Sequence, residues 1–350
     1  MSADFGLTTS LQSLRNKPGF GRFVAVAGIY TVFAIYLYRP HFQSFSTLRY
    51  LVVANASLAA LGCYVLSRRW VASFAGSFFA GLIYGFGPFM LGLAKFHLAA
   101  GFLTAAIPWL FCPAAFGPKG RFRWLRVPLS VLPFLGVVLF FQMAAHYRLF
   151  VVPTQSKLHL ADLAGLLAPL VMAGHSMTPI GFYHVPIAAL VMGFSMLIAA
   201  RRLGILIIFF LGVTLASCAP IFNISPAIWL AFPTLCCAIL IGEGMQGIVS
   251  AGWADRKWVL TITVIMLVLL VATLLLATNY YQVFAGLGAK YANLFVDAAK
   301  MYMLGAIAVG IIFFMARAKL RILPLRWVIL SSAMSVDIFF SARFMVDKIL

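Results

Sequence analysis

Acidic side chains are scarce in this chain. Seven aspartates and glutamates stand against 26 lysines and arginines in 350 residues, a formal net charge of +19. Charged residues of both signs make up 9% of the sequence, while 64% is hydrophobic. With a mean hydropathy of +1.04, that shortage of charge excludes a soluble globular domain, which could not hide so much apolar surface. Lipid is then the solvent. In lipid every backbone donor and acceptor has to be satisfied internally, so long apolar runs mean helices. The five cysteines, Cys63, Cys112, Cys218, Cys236 and Cys237, all fall inside apolar runs. They read as small core hydrophobes, not as a disulfide framework or a zinc site. There is no Walker loop, no dinucleotide fingerprint, no HExxH and no serine nucleophile elbow, and the sequence identifies no cofactor. The basic excess suits an anionic membrane surface and not nucleic acid.

What is present is a series of apolar runs. We count eleven, near 22–38, 48–67, 70–92, 98–117, 127–147, 179–200, 203–220, 226–250, 257–278, 299–316 and 324–342. The expected fold is an all-α polytopic membrane bundle: a tail over 1–20, then one transmembrane domain over 21–350. Residues 158–174 are apolar but short, and Asp162 and Pro169 interrupt them. They read as a re-entrant or interfacial segment.

Basic residues orient the bundle. With the N-terminus in the cytoplasm, 17 of the 26 lysines and arginines fall in cytoplasmic segments, including Arg22, Arg68, Arg69, Arg126 and Arg326. The positive-inside rule supports this arrangement in a bacterial inner membrane. All six histidines, His41, His97, His146, His159, His175 and His184, then reach the outer side. Histidine sits comfortably at an interface. A polar outer cavity that binds phosphate, relays protons or holds a metal or pigment is the other reading. No histidine pair has the i, i+4 spacing of a helical metal site, so no metal is assigned.

Carboxylates inside a membrane are costly and therefore informative. Glu243, between Gly242 and Gly244, lies in the run 226–250. Either it is intramembrane and needs a partner, or its helix ends early and it is interfacial. Asp337 falls in the outer half of the last run and is expected to face protein or a water-filled cavity. Asp162 and Asp297 lie on the outer side in amphipathic stretches, solvated unless they serve a site.

The stretch 70–113 organises the rest. It reads as two spanning helices joined by a short polar turn carrying Lys95 and His97. Gly81 and Gly85 share a face for close helix approach, and Pro88 favours a kink. Lys95 and His97 are expected to line one outward-facing cavity with Arg39 and His41 of the first outer loop. No acid lies in either segment, so an anion such as a lipid phosphate is needed among them. Snorkelling of each group to its own headgroup is the plainer alternative.

Leu66, Arg68, Arg69, Ala80, Gly81, Tyr84, Phe86, Pro88, His97 and Pro108 resemble a segment of bacterial polytopic membrane glycosyltransferases of the C-type (GT-C) fold. The likeness covers residues 57–116. FFLGVTLASCAP over 209–220 and the helix around Asp337 are weaker echoes. The resemblance implies an enzyme that takes a sugar from a polyprenyl-phosphate carrier and passes it to a lipid, glycan or protein. It also implies a carboxylate in the first outer loop as base or metal ligand. That loop, residues 38–49, has no Asp or Glu and offers Arg39, His41 and Arg49 instead.

Three readings follow. One is an active GT-C-like transferase using Asp162, Asp297 or a histidine as base, with Arg39, His41, Lys95, His97, His146 and His184 binding the ligand. The second is a non-catalytic subunit or scaffold among other membrane proteins. The third is a lipid or solute transporter, for which only Glu243 and Asp337 approach a polar path through the midplane.

Overall fold

The computed structural model describes residues 20–44, 50–117, 120–149, 203–218, 220–222, 224–250 and 323–349, with single helical positions at 189–190, 192–194, 197, 264, 268, 271, 275, 303, 307 and 310–311. Among the described residues the structure is helical, without a strand. The helices are α1 (Phe20–Tyr38), continued by a 3-10 segment (Arg39–Ser44), α2 (Tyr50–Ser67), α3 (Phe74–Gly85), α4 (Pro88–Phe96) and α5 (Leu98–Phe116). Then come α6 (Arg126–His146), α7 (Leu203–Ser217), the single turn α8 (Pro226–Trp229), α9 (Ala231–Ser250) and α10 (Leu323–Ile349).

Among the described residues seven helical stretches are long and apolar enough to cross a membrane, with α3 and α4 together making one and α8 and α9 another. Helix α7 is apolar but shorter. These account for eight of the eleven expected runs. The other three, at 179–200, 257–278 and 299–316, and the segment 158–174, lie outside the described residues apart from the single helical positions. The last helix runs to Ile349, seven residues past the expected boundary. Its last two turns carry Arg343 and Asp347, a polar i, i+4 pair that hydropathy counts as loop and helix geometry accepts.

The kink expected at Pro88 is a full break. Helix α3 ends at Gly85, Gly87 caps the next helix in extended conformation, and Pro88 opens α4 at a position where its missing N–H costs nothing. Upstream, the Ser73 hydroxyl accepts from Gly76 N–H and caps α3. The Gln246 side-chain oxygen accepts from the N–H groups of Ala72 and Ser73, at 3.2 Å each. Helix α9 thereby terminates the chain entering α3.

The centre of the bundle is the crossing of α3 and α9. The apolar window of α9 is buried throughout, and 89% of that of α3–α4 is buried. Two glycines meet there. A Cβ on Gly76 would strike the Gly242 carbonyl, and a Cβ on Gly242 the Gly76 carbonyl. Close backbone approach is the packing gain available when lipid is as apolar as leucine. The face of Gly81 and Gly85 is likewise used: Cβ atoms there would crowd Ala60 and Ala56 of α2.

Pro108 lies inside α5 and has no N–H to give the Thr104 carbonyl four residues earlier. The buried Tyr84 hydroxyl donates to that carbonyl at 2.8 Å. The tyrosine of α3 thus supplies the bond that the proline of α5 withholds, in a medium with no water to do so.

The ends of the helices sort into two faces. Arg22 and Arg68 lie close enough for the charge of one to be felt by the other. Arg326 donates to the Val249 carbonyl at 3.1 Å, and Arg126 to the Gly117 carbonyl. This is the arginine face. At the other end lie the 3-10 segment, His97, His146 and the last turn of α10, where His41 meets Asp347. Helix α1 begins at the arginine face and α10 ends at the other.

Two outcomes test this arrangement. A cysteine inserted after Asp347, with exposed Cys218 replaced by serine, should react with an impermeant thiol reagent on intact cells. One placed at Gly21 should react only after lysis. The same accessibility at both sites would mean that the ends share a face. Separately, Tyr84→Phe should destabilise the protein by about 1–3 kcal/mol, the usual cost of stranding a buried carbonyl. In a Pro108→Ala background, where residue 108 regains its N–H, that cost should shrink, as read from thermal unfolding in detergent. Strict additivity of the two changes would show that the tyrosine does not serve the Thr104 carbonyl.

Candidate functional site

The histidine face gathers most of the candidate residues that are described. The 3-10 segment carries Arg39 and His41 directly off the end of α1. Lys95 belongs to the last turn of α4, and its side chain lies outside the described residues. His97 alone forms the junction between α4 and α5. His146 ends α6, exposed, with its ring edge-on to Tyr147 at 4.9 Å. Asp162, Asp297 and His184 lie outside the described residues.

His41 is fixed by a residue 306 positions away. Its Nε2 is 3.1 Å from Oδ1 of Asp347, and Arg343 Nε donates to Oδ2 of the same carboxylate at 2.8 Å. A carboxylate in the last turn of a helix faces the negative end of the helix dipole, and the Arg343 guanidinium and the contact with His41 offset that. All three side chains are partly exposed, so the pairs are worth no more than about 1 kcal/mol each. Their effect is positional: they hold the 3-10 segment against the end of the last helix. Asp347 thereby brings a carboxylate against the 3-10 segment, which carries none of its own. The signal for half of this was present in the sequence, because Arg343 and Asp347 stand four apart. Nothing local pointed to His41.

His97 has a structural use. It is extended, with φ −151° and ψ 103°, and its Nδ1 accepts from the Ala100 N–H at 3.1 Å. It therefore caps α5 as an asparagine would. An accepting Nδ1 places the proton of a neutral ring on Nε2. Asn55 of α2 donates to the Leu98 carbonyl beside it at 3.4 Å, tying the junction to the bundle. Helix α4 packs against α10, so the junction and the His41–Asp347 pair flank the same helix.

The two intramembrane acids part company. Glu243 is 5% exposed, and α9 continues to Ser250, so it lies inside the bundle and not at a helix end. Its flanking glycines explain how: Gly242 lets α3 pass and Gly244 lets the backbone at Ala189 pass. Asp337 is half-buried and lines a cavity of about 430 Å³ with Ser332, Ser341, Ile307 and Ile311. Among the described residues no three His, Cys, Asp or Glu side chains converge as a metal set.

The cap makes a prediction that separates structure from binding. His97→Ala should cost about 0.5–2 kcal/mol, the usual worth of a lost N-cap, while His97→Asn should keep wild-type stability. Thermal unfolding of both variants in detergent reads the difference. Equal destabilisation by alanine and asparagine would show that the cap is not what the imidazole provides.

No protein-family model, curated protein or solved structure matches this chain.

Proposed function

We propose that this chain is a GT-C-like integral membrane transferase that works at its histidine face, which the positive-inside rule turns outward. Its substrate is a sugar on a polyprenyl-phosphate carrier. One observation carries the reading: the carboxylate missing from residues 38–49 is replaced in space by Asp347, 3.1 Å from His41. A carboxylate on one imidazole nitrogen orients the ring and makes the other nitrogen the base.

In that role Asp347 accepts from His41 Nε2–H, and Nδ1 takes the proton of the acceptor hydroxyl. The acceptor oxygen bonds to the anomeric carbon as the bond from that carbon to the phosphate oxygen breaks. The electron pair leaves with the lipid phosphate. Arg39, exposed two residues before His41, is the cation suited to that leaving group, since its planar fork takes two phosphate oxygens.

A non-catalytic subunit is the second reading. What favours it is that both Asp347 oxygens are already engaged, by His41 and Arg343, which is also how a purely structural clasp is built.

Release of lipid phosphate from a tritium-labelled polyprenyl-phosphate hexose, by the purified protein in nanodiscs, separates the two. His41→Ala and Asp347→Asn should each lower the rate by about 10²-fold or more, the scale of a lost general base. Arg39→Ala should raise the KM for the carrier. Loss on Asp162→Asn or Asp297→Asn, with His41→Ala unaffected, would move the base to those residues. A wild-type protein that is inert, yet keeps a co-purifying membrane partner that the Asp347→Asn variant loses, would establish the subunit reading.

A further inference from the structure

A groove of about 610 Å³ runs between α1 and α2, from the histidine face to about mid-bundle. Its α1 wall is Ala27, Thr31 and Ile35, which stand four apart on one helix and so form a row. The next residue in that row is Arg39, where α1 passes into the 3-10 segment. The α2 wall descends from Tyr50 through Ser57 to Leu61. Those eleven residues of helix make the wall about 16 Å long, roughly half the hydrocarbon thickness of a bilayer. Thr31, Ile35 and Tyr50 are exposed, so the groove is open along its side.

The lining suits hydrocarbon although it holds two small hydroxyls. Thr31 Oγ1 donates to the Ala27 carbonyl at 2.9 Å, and Ser57 Oγ to the Val53 carbonyl at 3.1 Å. Both donors are spent on their own helix and ask nothing of an occupant. Phe42 and Tyr50 close the outer end. Their rings lie 5.4 Å apart, and the Tyr50 hydroxyl donates to the Phe42 carbonyl at 3.4 Å. Phe42 follows His41 directly, so the groove ends beside the His41–Asp347 pair.

We propose that this groove seats the isoprenoid chain of the lipid-phosphate carrier, with the phosphate at Arg39. The identity of the carrier rests on the transferase reading; the seat of its chain rests on the groove. Continuity selects the occupant. A chain lying along the row Ala27–Thr31–Ile35 brings its head group to Arg39, and Arg39 is two residues from the proposed base. Charge complementarity selects the head, since a guanidinium fork takes two phosphate oxygens. Lipid tails are as apolar as these walls, so burial alone would hold no particular chain here. The phosphate fixes the head, and the open side lets the chain enter from the bilayer.

The test is native mass spectrometry of the whole purified protein, offered equal amounts of a long-chain polyprenyl phosphate and geranyl phosphate. The wild type should retain the long chain in preference. Ala27→Leu fills the deep end, which a geranyl chain is too short to reach, and should abolish that preference. Leu61→Phe, at the same depth on the other wall, should do the same and preserves the test if one variant folds poorly. Val32→Leu changes an exposed residue of α1 outside the groove and should keep the preference. Arg39→Gln should lower retention of both phosphates about fivefold, the worth of one basic residue beside an anionic head group. It should leave retention of the unphosphorylated long-chain polyprenol unchanged. An unchanged preference in Ala27→Leu and Leu61→Phe, or equal loss in Val32→Leu, overturns the groove. Displacement by an equal amount of dioleoyl phosphatidic acid would assign the groove to a diacyl lipid and overturn the proposal. So would a wild-type dimer that Ala27→Leu converts to monomer, which would assign the groove to a second copy of the chain. The readout needs no turnover. An inert wild type with the expected retention would remove the transferase reading and leave the lipid-phosphate groove standing. An active wild type whose retention is untouched by Ala27→Leu would do the reverse.

Discussion

Lipid offers no hydrogen bonds, and the architecture follows from where each backbone group finds its partner. Helices meet most of that demand internally. Interruptions have to be met by neighbours, and they occur where two helices already touch. Pro108 vacates the Thr104 carbonyl and Tyr84 fills it. The chain entering α3 exposes the N–H groups of Ala72 and Ser73, and Gln246 takes both. The break at Gly87–Pro88 ends one helix and starts the next with a residue that has no N–H to satisfy. Each repair ties two helices together, so the irregular points are also the fixed points of the bundle.

Between those points the packing depends on small residues. Gly76 against Gly242, and Gly81 and Gly85 against α2, allow contact at backbone distance. The same device admits Glu243 to the interior of the most buried helix, because glycines on both sides let neighbouring backbones close around it. A carboxylate held there is costly, and its position in a tightly crossed region marks it as part of the internal structure of the arginine half of the bundle.

The two faces differ in chemistry. The arginine face gathers Arg22, Arg68, Arg126 and Arg326 at one set of helix ends. The histidine face has fewer arginines, and its described acid, Asp347, is held between His41 and Arg343. Asp347 thus gives His41 a partner from within the chain. His97 is committed to a helix cap through Nδ1. Among the described side chains of the group Arg39, His41, Lys95 and His97, His41 is brought to a carboxylate, and that makes it the centre of the proposed chemistry.

Hydropathy and charge are properties of short stretches, so the chain itself determined the membrane class, the described spans to within a few residues apart from the end of α10, the small face of α3 and the helix ends at which the described arginines and histidines sit. Pairing between helices is another matter. It depends on how each helix is rotated about its axis and which neighbour it meets, and no local run encodes either. Only the tertiary structure decided that Asp347 faces His41 across 306 residues, that Tyr84 answers Pro108, and that Glu243 is interior and not interfacial. The extra two turns of α10 belong to the same class. Their polar residues look like loop until His41 supplies a partner for the carboxylate at the helix end.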